Sequence, residues 1–108
     1  MELLNPDGTV DVVTSIKVRA GYQITTRDQH GFHFDMEDLG CSKELMDRIL
    51  RWEDYFLKNC DPDFEFDSEW FDTEGLEISY HVKKFVGKAV GVEYWELHSN
   101  NKYTIDIH

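Results

Sequence analysis

Only two cysteines and two prolines occur among 108 residues, so the chain has no disulfide framework and no proline-rich linker. Cys41 and Cys60 are expected as free thiols, since nothing else in the sequence points to export. No apolar run approaches the length of a bilayer-spanning helix. The opening MELLNPDG lacks the positive start and apolar stretch of a secretory leader. The expectation is a cytoplasmic chain with no membrane partner. Positive charge is scarce too: 11 Lys and Arg stand against 22 Asp and Glu, a formal charge of −11. Such a field repels nucleic acid and anionic lipid and speeds the capture of cationic proteins. No direct nucleic-acid binding is expected. The sequence also lacks a phosphate loop, a dinucleotide fingerprint, a serine elbow and an HExxH pair. It is read as a non-enzyme with no cofactor, no metal and no catalytic residue.

Acid and aromatic side chains are abundant, and they coincide. Residues 28–74 hold fifteen acids and four bases, while the remainder holds seven of each, so all the net charge lies in the middle of the chain. The densest part is Asp61 to Glu74, DPDFEFDSEWFDTE, with seven carboxylates, four aromatic rings and no Lys or Arg. Disordered acidic segments are poor in large apolar groups. Four rings in this segment therefore predict that part of it packs, in its own domain or on a partner. The plainer reading is a solvated connector whose charge serves solubility.

Around this stretch the chain reads as one α+β domain spanning residues 1–108. Pro6-Asp7-Gly8 signals a turn. Val10, Val12, Thr14, Ile16 and Val18 alternate with polar residues as one half-buried strand. Tyr22 to Thr26 suggests a second strand, Asp28 to Gly31 a hairpin turn, and Phe32, Phe34 and Met36 a third strand. Ser42 is a good N-cap for a helix with Leu45, Ile49, Trp52 and Phe56 on its buried stripe, ending near Asn59 because Pro62 disfavours helix at Asp61. Asp72 or Thr73 is read as the cap of a second helix running to about Val86. Its predicted face is Gly75, Leu76, Ser79, Val82 and Val86, and Gly87 closes it. Val90, Val92 and Tyr94, then Tyr103, Ile105 and Ile107, predict a closing hairpin. The order βββ-α-α-ββ implies an antiparallel sheet with two helices packed on one face.

Several candidate chemistries fail on spacing. Asp61 to Asp67 places oxygens at alternate positions, but a calcium loop needs Gly sixth and Glu twelfth, where Phe66 and Asp72 stand. His30 and His33 sit near Asp28 and Asp35, yet on a hairpin they fall on opposite faces. Cys41 precedes a helix cap that favours a thiolate, while Glu37, Asp38 and Glu44 oppose one. Trp52 belongs to the helical core stripe. Trp70 and Tyr55 are the better candidates for exposed anchors, because aromatic side chains dominate binding hot spots.

One resemblance covers about Phe34 to Glu96. Leu39, Ser42, Leu45 and Leu50 lead into Trp52 and Phe56. An acidic span with Trp70 follows, then Phe71, Gly75-Leu76, Val86-Gly87 and the strand Val90, Val92, Tyr94. In that order the chain resembles small immunity proteins of bacterial contact-dependent growth inhibition and polymorphic-toxin systems. The pattern consists of packing residues and carries no binding signature. The resemblance implies a cytoplasmic inhibitor that binds a cognate toxin domain tightly and performs no chemistry. Many such toxins are nucleases with basic clefts, where carboxylates can stand in for phosphates. The expected binding face is Asp61, Asp63, Glu65, Asp67, Glu69 and Trp70, with Glu53, Asp54 and Tyr55 from the preceding helix. Asp35, Glu37 and Asp38 form a second candidate patch. Reversing Asp63, Glu65 and Asp67 to Lys is expected to weaken binding without changing the thermal midpoint. The competing readings are an acidic adaptor or nucleic-acid mimic for another basic protein, and a small carboxylate- or metal-dependent enzyme.

Overall fold

The computed structural model describes residues 1–4, 7–20, 26–97, 99 and 101–106. Its strands are β1 (Glu2–Leu4), β2 (Val10–Val12), β3 (Ser15–Arg19), β4 (Thr26–Arg27), β5 (Gly91–Trp95) and β6 (Lys102–Thr104), and its helices are α1 (Lys43–Leu57) and α2 (Ser68–Val86). Short 3-10 turns cover Met36–Leu39, Lys58–Cys60 and Gly87–Ala89. The four-stranded sheet runs β4-β3-β5-β6, and β1 and β2 form a separate antiparallel pair. The architecture is α+β, with both helices contributing to one core over one face of the larger sheet.

The sheet is antiparallel at its two outer pairs and parallel at its centre, where Ile16 stands beside Val92 and Val18 beside Tyr94. A wholly antiparallel sheet was expected. The two helices lie between β3 and β5 in the chain, and a crossover of that length lets the second strand enter in the same direction as the first. The four paired side chains are fully buried and form the floor of the core.

On that floor α1 lays Leu45, Ile49, Trp52 and Phe56, as the helical spacing predicts. The Ser42 hydroxyl accepts the Leu45 amide at 3.2 Å, closing the helix start. The second helix begins five or six residues earlier than predicted, with its cap at Asp67 in place of Asp72 or Thr73. Asp67 is its N-cap, accepting the Trp70 amide at 3.0 Å, and its buried stripe is Phe71, Gly75, Ile78, Ser79, Val82 and Val86. Gly75 is required there, because a Cβ would collide with the phenol ring of Tyr94. Lys83, in the last turn of α2, is buried and donates from Nζ to the Val90 carbonyl at 2.8 Å. Gly87 has a positive φ of 73°, consistent with its expected role in ending the helix.

The N-terminal third departs most from expectation. One strand from Val10 to Val18 is replaced by β2 and β3, because the inward side shifts between them: Val13, Ile16 and Val18 are buried while Val10 and Val12 are exposed. The Gln29 side chain holds this break, accepting the Thr14 amide at 3.0 Å and donating to the Val12 carbonyl at 2.7 Å. Residues 28–31 do turn, with Asp28 accepting the His30 and Phe32 amides. No third strand follows; only a single bridge joins Arg27 to His33, and Met36–Leu39 winds into a 3-10 turn. Of the predicted second strand only Thr26 falls among the described residues, and Pro6 and Ile107 also lie outside them.

Candidate functional site: an acidic shoulder on an aromatic stack

The fourteen-residue acidic stretch splits into two parts with different tasks. Its second half is helical and faces inward. Phe71 is fully buried, stacks on Trp52 at 4.4 Å and gives its carbonyl to the Trp52 indole N–H at 2.9 Å. Asp72 accepts the Tyr94 hydroxyl at 2.6 Å and the Leu97 amide at 3.1 Å. Burial and then this hydrogen bond hold the Tyr94 hydroxyl well above the ordinary phenol range. Glu74 and Glu77 both take Arg48, tying the two helices together.

The first ten residues, Asp61 to Trp70, keep their carboxylates on the surface. Its backbone is organised by two of its own carboxylates. Asp61 Oδ1 accepts the Asp63 amide at 2.9 Å, and Asp67 caps α2. The aromatic rings fix its position. Tyr55 of α1 lies 5.3 Å from Phe64, 5.1 Å from Phe66 and 4.6 Å from Trp70, ring centre to ring centre. Its hydroxyl accepts the Asp67 amide at 2.9 Å. Phe66 continues to Phe71 at 5.3 Å, so the surface rings join the core stack. The prediction that part of the acidic stretch packs therefore holds.

The nine predicted binding residues do different work: Tyr55 and the 61–70 segment meet on one shoulder, while Glu53 lies on the other flank of α1. Tyr55 is half-buried, and its ring and hydroxyl are both engaged, so it positions the loop. Asp61 and Asp67 shape backbone. Asp54 pairs with Lys58 across 3.6 Å at the surface. Glu53 is half-buried and shares a small recess of about 50 Å³ with Asp35, Met46 and Leu50. Asp63, Glu65 and Glu69 are exposed, and their carboxylates make no hydrogen bond or ion pair among the described residues. Beside them Trp70 stands 44% exposed. Because Asp67 is a cap, reversing it to Lys is expected to cost stability, contrary to the sequence reading.

The second patch adjoins Glu53 through that recess. Asp35 caps the 3-10 turn by accepting the Glu37 amide at 3.0 Å, and Glu37 and Asp38 are exposed. Burial, then the charges of Asp35 and Glu37, push the Cys41 thiol above its ordinary range. Cys41 and Cys60 are both free thiols.

Sequence reasoning missed a groove of about 330 Å³ where α2 meets the β5–β6 hairpin, lined by Glu69, Asp72, Thr73, Leu76, Glu96 and Tyr103 among others. Glu96 accepts the Tyr103 hydroxyl at 2.8 Å, which raises the Tyr103 pKa. The groove is continuous with the shoulder through Glu69. Its two sides lie eighteen or more residues apart in the chain, so no local pattern reveals it. Among the described residues no group of three or more His, Cys, Asp or Glu side chains is arranged to hold a metal ion. No helix among them is long and apolar enough to cross a membrane.

No family model, curated protein or solved structure matches the chain.

Proposed function

We propose that this protein is a cytoplasmic immunity-type inhibitor that neutralises a basic toxin domain, with a nuclease domain as the preferred target. One observation carries the reading: Trp70 is exposed beside the uncompensated carboxylates of Asp63, Glu65 and Glu69, on a backbone fixed from below by Tyr55. A rigid aromatic anchor loses little conformational freedom on binding. The carboxylates around it meet Arg and Lys side chains that would otherwise hold phosphates. The long-range field of a −11 chain accelerates encounter, which matters against a catalytic toxin. The neighbouring groove with Glu69 and Glu96 is sized to take one long cationic side chain of the target. Inhibition is by occupation and involves no chemistry.

The test is co-expression with the product of the gene directly upstream, followed by pull-down at low and moderate salt. Rescue of growth together with a stoichiometric complex supports the reading. A non-toxic neighbour whose basic protein still binds the shoulder would reassign the chain as an acidic adaptor.

A further inference from the structure

The outer face of the four-stranded sheet has the opposite character to the rest of the molecule. Register places Lys17 beside Arg27, Arg19 beside Trp95, and Trp95 beside Lys102, all on the side away from the buried Ile16, Val18, Val92 and Tyr94. Four of the chain's eleven bases thus share one face, with Glu93 as the one carboxylate among the described strand residues there. That carboxylate is already engaged, accepting the Trp95 indole N–H at 3.2 Å. None of the four bases forms an ion pair among the described residues, where the ion pairs involve Arg48 and Lys58. The cations gather on the indole instead: Arg19 lies 5.0 Å, Lys102 4.8 Å and Lys17 5.9 Å from the ring centre.

We propose that this face docks the acidic shoulder of a second copy of the chain, head to tail. The proposal holds whatever foreign partner the shoulder also binds. Charge complementarity carries it, and both complementary surfaces belong to this one chain. The helices lie on the inner side of the sheet, so a molecule cannot fold its own shoulder onto its own basic face. The match can be made only between molecules. Single-stranded nucleic acid is the weaker occupant, because it needs an open ring on which a base can stack. Here Arg19 and Lys102 approach Trp95 from the strands on either side. Carboxylates suit those cationic heads, and Arg19 and Arg27 can each take one through two hydrogen bonds. The contact joins two different surfaces, so it propagates into short chains of molecules. It also competes with any other ligand of the shoulder.

Net charge makes the salt dependence distinctive. The molecule measures 44 × 34 × 26 Å. At about 0.01 M salt the screening length is about 30 Å, and two copies repel as whole anions. At about 0.15 M it falls to about 8 Å, and only the facing patches are felt. At about 1 M these too are screened. Sedimentation velocity of the full chain is expected to show association that peaks at the intermediate salt and returns to the 12.8 kDa monomer on either side.

Two variants complete the test: a sheet variant with Arg19→Glu and Lys102→Glu, and a shoulder variant with Asp63→Lys, Glu65→Lys and Glu69→Lys. Each alone is expected to be monomeric. Their equimolar mixture is expected to associate again, because the intact shoulder of one variant meets the intact sheet face of the other. Should a reversal unfold the chain by circular dichroism, Arg19→Gln with Lys102→Gln serves in its place. A wild type that stays monomeric at all three salts overturns the proposal, as does a mixture that stays monomeric. Binding of a labelled oligo-dT strand that is lost in the sheet variant would assign the face to nucleic acid and overturn it equally.

Discussion

Trp52 and Trp70 belong to one aromatic system, yet they sit at its opposite ends. Trp52 is 1% exposed, stacked on Phe71, with its N–H satisfied by the Phe71 carbonyl. Trp70 is 44% exposed and touches the stack through Tyr55. Both sit in acidic sequence: Glu53 follows Trp52 and Glu69 precedes Trp70. Helical phase sends the carboxylates outward and lets each ring go where its position on the helix dictates. One end of the stack supplies stability, and the other end presents a rigid surface. Stability and recognition should therefore separate under mutation.

The strongest way to break this comparison is at the inner end. Trp52→Ala removes the stacking partner of Phe71 and the indole N–H that the Phe71 carbonyl accepts beside its helical bond. The expected loss is about 3–5 kcal/mol in chemical denaturation. Next is Gly75→Ala. Its new methyl group meets a Tyr94 ring pinned by burial and by Asp72, and roughly 1–3 kcal/mol should be lost, read as a lower thermal midpoint.

Asp67→Ala lies between the two ends. It removes the α2 cap, and about 1 kcal/mol is expected to go, with partner binding changed less than by the outer carboxylates. Trp70→Ala should do the reverse. Losing one ring contact costs stability about 0.5–1.5 kcal/mol, whereas affinity for the target should fall at least tenfold by titration calorimetry. Equal losses in both assays would erase the distinction between the ends.

A pH titration sharpens the inner end. The Tyr94 hydroxyl is held neutral in the fold, above its ordinary value of 10.0. Its contribution is intact below that value. As pH rises past it the unfolded chain ionises first, so stability declines. Tyr94→Phe should flatten that decline in alkaline denaturation curves. A smaller effect concerns the thiols. Cys41 is half-buried with its thiol pushed up, and Cys60 is exposed. Iodoacetamide at pH 8 should label Cys60 first, as mass spectrometry of the digested protein can show.

Much of the helical layer was legible because each signal was local. Ser42 and the stripe Leu45, Ile49, Trp52, Phe56 carry their own cap and period, and Val90, Val92 and Tyr94 alternate plainly. The start of α2 was misread because Asp67 and Asp72 are both capping residue types. The spacing that decides between them, Phe71 to Gly75 to Ile78, runs backwards through an acidic segment. The break between Val12 and Ser15 depends on Gln29, fifteen residues or more away, and a regular alternation cannot show it. The parallel pairing of β3 and β5 also lay outside local pattern, since it concerns two strands separated by both helices.

The acidic shoulder was legible as composition, while the separate tasks of its residues were not. The sequence showed where acid and aromatic groups concentrate. It could not show that Tyr55, Asp61 and Asp67 would be used to build the surface, leaving Asp63, Glu65, Glu69 and Trp70 to present it. The basic sheet face was invisible for a similar reason. Lys17, Arg19, Arg27 and Lys102 are scattered along the chain and meet only through strand register.

The most direct test of the central claim compares wild type with the Asp63→Lys, Glu65→Lys, Glu69→Lys variant in growth rescue against the upstream gene product. The thermal midpoint is measured on the same two proteins. The expected result is full rescue by wild type, none by the variant, and midpoints within about 5 °C of each other, the difference coming from Glu69 in the first turn of α2. Rescue by the variant as strong as by wild type would contradict the claim that this shoulder is the docking surface.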